Sequence, residues 1–136
     1  LAVEECARVD AELDVTAVPE GLEVRGVAKL LRRALRNLLE NARRYSLGDI
    51  TVVLQRHDGQ AQVSVLDRGP GVPSALRERI FEPFYRLPGA SEREGGVGLG
   101  LALVKSISQR HGGTVRCEGR AGGGASFVVE LPIHKA

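Results

Sequence analysis

Cysteine is scarce. Cys6 and Cys117 are the only two, they lie far apart, and neither belongs to a Cys-x-x-Cys pair or stands near a pair of histidines. That pattern argues against a structural zinc site and fits a reducing compartment. Long apolar runs are missing as well. The longest uncharged apolar pieces, such as residues 99–104, fall far short of the ~20 residues that a membrane-spanning helix needs. A soluble piece with no membrane contact of its own is expected. There is no methionine, and the chain does not open on a basic, apolar, small-residue leader, so a fragment or processed product is expected. Charge of one sign is lacking too. Nineteen basic against seventeen acidic residues leave +2, too little to draw a polyanionic partner by field alone, and no nucleic acid is expected.

What remains is an ordinary soluble composition, 43% hydrophobic and 26% charged over 136 residues. A chain of this length buries roughly two-thirds of the surface its unfolded form exposes, enough for one core. No repeat or linker divides it. Residues 1–9 fit a short helix. Leu13, Val15 and Ala17 alternate with Asp14 and Thr16 as in a half-buried strand, and Pro19 and Gly21 mark a turn. From 27 to 45, apolar residues recur at Val27, Leu30, Leu31, Ala34, Leu35, Leu38, Ala42 and Tyr45, the three-and-four spacing of an amphipathic helix.

Residues 50–54 and 62–66 are β-rich, and Asp58-Gly59 between them predicts an antiparallel hairpin. The second strand runs into a turn-forming cluster at 67–73, then a short helix through Ile80. Residues 86–96 are polar and glycine-rich, a long loop of the kind that carries function. A second helix over 99–110 stops at Gly112-Gly113, and strands at 114–118 and 126–131 follow, joined by a glycine-rich turn. Two hairpin-like pairs without strict βαβ alternation predict an α+β fold. It should be a two-layer sandwich with a mixed, mostly antiparallel sheet and helices on one face.

Three groups of residues offer chemistry. On the long helix, Asn37, Asn41 and Arg44 share one narrow arc beside the apolar stripe. Asparagine costs about 0.5 kcal/mol against alanine in a helix, so helix stability does not explain the pair. Either the amides border solvent, or one of them binds Mg²⁺, a hard cation that takes one or two protein oxygens beside water and phosphate. Asp67-x-Gly69-x-Gly71 leaves a strand with a carboxylate at the mouth of a turn that a flat ligand can approach. It is either an ordinary Asp-initiated turn, or an acceptor for the exocyclic amine of adenine, an interaction that would reject guanine.

Gly96-Val97-Gly98-Leu99-Gly100-Leu101 opens the second helix, where free N–H groups and the helix dipole attract phosphate. Leu101 stands where a dinucleotide fingerprint needs its third glycine, and Lys105-Ser106 lacks the glycine of a Walker A loop. In residues 80–86, Phe81 and Phe84 are expected to be core anchors at the root of the loop.

Taken together, these pieces resemble the catalytic ATP-binding domain of bacterial sensor histidine kinases, within the wider family of gyrase, Hsp90, histidine kinase and MutL ATPases. Residues 36–46 look like its N box, 67–71 its first glycine box, 81–86 its F box and 96–101 its second glycine box. The resemblance covers roughly residues 26–132, and it rests on four boxes in the family's order.

The resemblance implies a Bergerat-type sandwich filling 1–136 as one domain, with its core at 13–132 and an ATP lid at about 86–97. It implies Mg²⁺ on Asn41, with Asn37 and Arg44 approaching the phosphates of ATP. Asp67 would read adenine, Tyr45 would line the pocket, and Gly69, Gly71, Arg86, Gly96, Val97, Gly98, Leu99, Gly100 and Leu101 would complete the nucleotide contacts. In hydrolytic relatives the position of Asn37 is usually a glutamate that activates water. An amide has no useful basicity, which favours a kinase over a free ATPase.

A His followed by Glu-Leu-Arg-Thr-Pro, as in the phosphoacceptor segment of such kinases, is absent. His57, His111 and His134 are expected in structural or solvent roles. The acceptor would then be a histidine on the dimerisation domain of the same kinase, with a response regulator reached indirectly. The chain would be a cytoplasmic domain of a membrane-anchored sensor.

Two departures stand out. Val97 replaces the Thr or Ser common in the second glycine box, and Val27 replaces the Asp that often begins the N-box helix, removing an expected cap. The competing readings are a serine kinase of anti-sigma-factor type or a gyrase-like ATPase, a docking module that has lost nucleotide, and nucleic-acid binding through Arg32, Arg33, Arg36, Arg43 and Arg44. The last is weakest, because most of those arginines fit a solvated helix face.

Overall fold

The structure, a computed structural model, describes residues 26–46, 48–85 and 99–133, and the backbone path of 12–14. The expected opening helix, the Pro19-Gly21 turn and the loop with Arg86, Gly96, Val97 and Gly98 lie outside these residues. Five strands, β1 (Glu12–Asp14), β2 (Thr51–His57), β3 (Gln60–Leu66), β4 (Thr114–Gly119) and β5 (Ala125–Pro132), form one sheet in the order β1-β2-β3-β5-β4. β1 pairs parallel with β2, and all other pairs are antiparallel. Two helices, α1 (Ala28–Tyr45) and α2 (Gly100–Arg110), cover one face.

The register explains which face they cover. Val52, Val65, Phe127 and Cys117 lie opposite one another across four strands, and all are buried. Leu54, Val63, Val129 and Val115 form the next such row. Against these rows α1 presses Ala34, Leu35, Leu38, Leu39 and Ala42, and α2 presses Val104 and Ile107. The period-3.6 stripe read from the sequence is thus the face that packs on the sheet. Phe81 meets Phe127 edge to face at 6.3 Å and 77°, adding about 1 kcal/mol to what its burial contributes.

The hairpin is tighter than expected. Asp58 and Gly59, at φ 49° and 76°, make a two-residue turn, so β2 runs on to His57 and β3 starts at Gln60. The short helix after Pro73 is instead two 3₁₀ turns, Ser74–Leu76 and Arg79–Phe81. α2 ends as expected. Gly112 takes φ 76°, its N–H bonds the Gln109 carbonyl at 3.0 Å, and the Gly113 N–H bonds that of Ser108 at 2.8 Å, the paired bonds of a Schellman cap.

Two expectations need correction. Phe81 is a core anchor, but Phe84 is not. It is 69% exposed at φ 66°, an unusual angle for a bulky residue. Pro83 sets the second position of a turn closed by the Tyr85 N–H on the Glu82 carbonyl at 3.2 Å, and that turn throws Phe84 outward. The anchoring passes to Tyr85, which packs on the core with the Arg79 guanidinium 5.4 Å from its ring centroid. The cap missing at Val27 is also replaced. His111 Nε2 accepts the Val27 N–H at 3.0 Å, while Nδ1 lies 2.8 Å from the Ile107 carbonyl, so one imidazole joins the start of α1 to the end of α2.

The opposite face of the sheet carries a polar ladder. Gln55 donates to Gln62, Gln62 donates to Glu130 at 3.4 Å, and Arg116 bonds Glu130 and, at 3.2 Å, Glu118. The Arg116 hydrogen bond holds the Glu130 carboxyl below the usual carboxylate range. A depressed folded value means that this contribution is present at neutral pH and is lost as pH falls through it. Glu130→Gln is expected to cost about 1 kcal/mol at pH 7, and the gap to wild type should close on acidification, as read from urea melts at pH 7 and pH 3. A gap that stays constant with pH would remove the ion pair from the account.

Candidate nucleotide-binding site

Asp67 leaves β3 beside the first residue of β5, at the shared end of the two central strands. Its N–H bonds the Ala125 carbonyl at 2.9 Å. The carboxylate is buried, and Oδ1 accepts from the N–H groups of Gly69 at 2.8 Å and Ala125 at 3.2 Å. Two donors on one oxygen fix the plane of the group, and Oδ2 has no hydrogen bond among the described residues. An oriented acceptor with a free lone-pair site is what recognition of an amine requires. Gly69 brings the turn against the end of α1, where a Cβ would sit 2.6 Å from the Tyr45 carbonyl oxygen.

The floor of the turn was not foreseen as part of the site. Gly122-Gly123-Gly124, between β4 and β5, folds under Asp67, and Gly124, at φ 108°, comes so close that a Cβ would lie 2.1 Å from the Asp67 carbonyl oxygen. Arg120 Nη1 donates to that same carbonyl at 3.2 Å, and Arg68 Nη1 reaches back to the carbonyls of Ala121 and Gly123 at 3.2 and 3.3 Å. The available signal was the run of three glycines, more than a hairpin turn between two strands needs. Beneath, burial pushes the Cys117 thiol up to about 11, and the Asp67 charge adds to the shift, so the thiol is neutral and unreactive at pH 7.

The other end of the site lies two turns back along α1. Asn37 Nδ2 donates to the Gly100 carbonyl at 3.4 Å, bringing the asparagine face up to the first turn of α2, whose leading N–H groups lack helical partners. Leu99 is 42% exposed there and Gly100 is exposed, whereas Leu101 turns inward onto the core. Asn41 is half-buried and Arg44 exposed, and neither has a hydrogen-bond partner among the described residues. Asn37 and Tyr45 are eight residues apart, about 12 Å along the axis.

Of the expected site residues, Asn37 and Gly100 meet at one end, and Tyr45, Gly69 and Asp67 meet at the other. Asn41 and Arg44 lie between them along the helix, and Gly71 stands at φ 76° beyond Gly69. No cluster of three His, Cys, Asp or Glu side chains that could hold a metal exists among the described residues. A lone amide oxygen such as that of Asn41 fits a Mg²⁺ bound mainly by phosphate and water, not a metal caged by protein.

A sandwich with this buried carboxylate and a helix N-terminus facing paired asparagines defines an ATP-binding domain of one recognisable class. The chain belongs to the family of histidine kinase-, DNA gyrase B- and HSP90-like ATPases, matched over residues 26–135. Its relatives are sensor histidine kinases. The sensor-like histidine kinase SenX3 of Mycolicibacterium smegmatis is 38% identical over 122 residues, 88% of this chain but 32% of the relative. The chain therefore spans about a third of that protein's length. A solved mycobacterial sensor histidine kinase MprB superposes with a TM-score of 0.80 at 32% identity, covering 99% of this chain and 96% of that one. Full-length ShkA in complex with AMPPNP superposes with a TM-score of 0.77 at 31% identity, covering 98% of this chain and 28% of that one.

Proposed function

We propose that this domain binds Mg-ATP and donates the γ-phosphate to a histidine on a separate dimerisation domain of a sensor histidine kinase in two-component signalling. The observation that carries the reading is the Asp67 carboxylate, tethered through Oδ1 by two backbone amides and open at Oδ2, at the end of a helix whose polar face runs toward the N-terminus of α2. In this reading Asp67 takes the adenine amine, Tyr45 lines the base pocket, and Gly69 and Gly71 let the ring approach the turn. Asn37, Arg44 and the amides around Leu99, Gly100 and Leu101 receive the phosphates, with Arg86, Gly96, Val97 and Gly98 closing from the lid at about 86–97. Asn41 would hold Mg²⁺, which supplies charge neutralisation at the phosphate oxygens.

In the transfer, a lone pair on the acceptor imidazole forms the N–P bond in line as the bond from Pγ to the bridging oxygen breaks, and ADP leaves with that electron pair. The chain holds the triphosphate in position and offers no base at Asn37 to activate water, so its own hydrolysis is slow. The whole would be a cytoplasmic part of a membrane-anchored sensor, acting on a response regulator only through the phosphohistidine.

The test is to mix the chain with the dimerisation domain of a matched kinase and γ-labelled ATP. The expected result is acid-labile, base-stable label on the dimerisation domain and negligible phosphate release by the chain alone. Brisk release of phosphate by the chain alone, with no label transferred, would falsify the kinase reading in favour of an ATPase.

A further inference from the structure

Arg33 is the one cation on the polar arc of α1 to which no role has been given. At 100° per residue, positions 33, 37, 41 and 44 fall within about 80° of one another, so Arg33 continues the row of Asn37, Asn41 and Arg44 by one more turn. It lines a groove of about 510 Å³ together with Asn37, Leu99, Gly100, Ala102 and Leu103, the crevice between the middle of α1 and the first turns of α2. Its guanidinium is exposed and has no hydrogen bond or ion pair among the described residues, unlike Arg32 and Arg36 on the same helix.

Order along the helix gives Arg33 its part. The base end of the site is at Tyr45 and Asp67, and the phosphate end is at Asn37 and Gly100. A nucleotide anchored by its base therefore lays successive phosphates toward the N-terminus of α1. Arg33 lies beyond Asn37, about 18 Å along the axis from Tyr45, so it meets only the last phosphate of the chain. We propose that Arg33 binds the terminal phosphate of the triphosphate and makes the site prefer ATP to ADP. Three features supply the recognition: a planar fork of donors suited to phosphate oxygens, the neighbouring helix N-terminus, and apolar walls at Leu99, Ala102 and Leu103 that reduce screening. A diphosphate stops short of this fork. The inference rests on the ATP-binding reading above.

The test is calorimetric titration of ATP and ADP with Mg²⁺ on wild type, Arg33→Gln and Arg33→Lys, with Arg43→Gln as the control. Arg43 is an exposed cation on the same helix but well off the polar arc, so its loss changes net charge equally without touching the groove. Arg33→Gln is expected to weaken ATP about tenfold and leave ADP within about twofold, with Arg33→Lys intermediate. Arg43→Gln should leave the ratio of the two affinities unchanged. Equal losses for ATP and ADP, no loss for either, or the same shift in the Arg43 variant would overturn the assignment. Wild type that binds ADP but shows no preference for ATP would overturn it while leaving the ATP-binding reading in place. Wild type that binds neither nucleotide would bring down both.

Discussion

Asp67→Asn is expected to weaken ATP and ADP binding roughly 100-fold while leaving the fold intact. The two effects separate because the carboxylate oxygens do different jobs. Oδ1 accepts the Gly69 and Ala125 amides, and an asparagine Oδ1 can go on accepting both. That orientation places the new Nδ2 where Oδ2 was, so a donor faces the exocyclic amine of adenine. The loss exceeds that of one hydrogen bond, because two donors are buried against each other. GTP, with a carbonyl at the corresponding ring position, should lose nothing and can gain, so adenine selectivity falls on both counts. Calorimetry with ATP, ADP and GTP, beside a thermal melt, reads all of this. Unchanged ATP binding by a folded variant would take Asp67 out of the site.

The second large effect belongs to Gly124. Its φ of 108° is closed to side chains, and a Cβ there would lie 2.1 Å from the Asp67 carbonyl oxygen, a backbone atom that cannot swing away. Gly124→Ala should cost about 3 kcal/mol or more in urea unfolding. Gly123, at φ 104° with nothing within 4 Å of an added Cβ, separates the two causes. Gly123→Ala carries the conformational penalty alone, about 1 kcal/mol. Nucleotide affinity should fall in the first variant, because the displaced backbone is that of Asp67, and stay in the second. Equal costs would mean that backbone angle matters and close approach does not.

Much of this was legible in the chain because the signals were local. The apolar spacing from Val27 to Tyr45 placed α1 to within a residue, and Gly112-Gly113 marked the end of α2 by the cap that is found. The hairpin strands were read two or three residues short because Arg56, His57 and Gln60 are polar. Their turn chemistry already called for a two-residue loop, and the tight turn rather than hydrophobicity sets the strand ends. Asn37, Asn41 and Asp67 stood out because neither helix stability nor core packing asks for them.

What could not be read is non-local. Nothing near Val27 in sequence shows that a histidine 84 residues away accepts its N–H. Nor does the run at Gly122 reveal the carbonyl that comes to rest against Gly124. Phe84 misled because hydrophobicity is a preference for burial, and the Pro83 turn overrides it.

The His111 imidazole also ties together two elements that are distant in sequence. They run antiparallel, and the ring fastens them where α1 begins and α2 ends. Farther along, at Asn37 and Gly100, a 3.4 Å hydrogen bond joins them again. A substitution that loses the ring would leave the Val27 N–H without this acceptor, so the start of α1 and the end of α2 would lose a tie that spans most of the sequence.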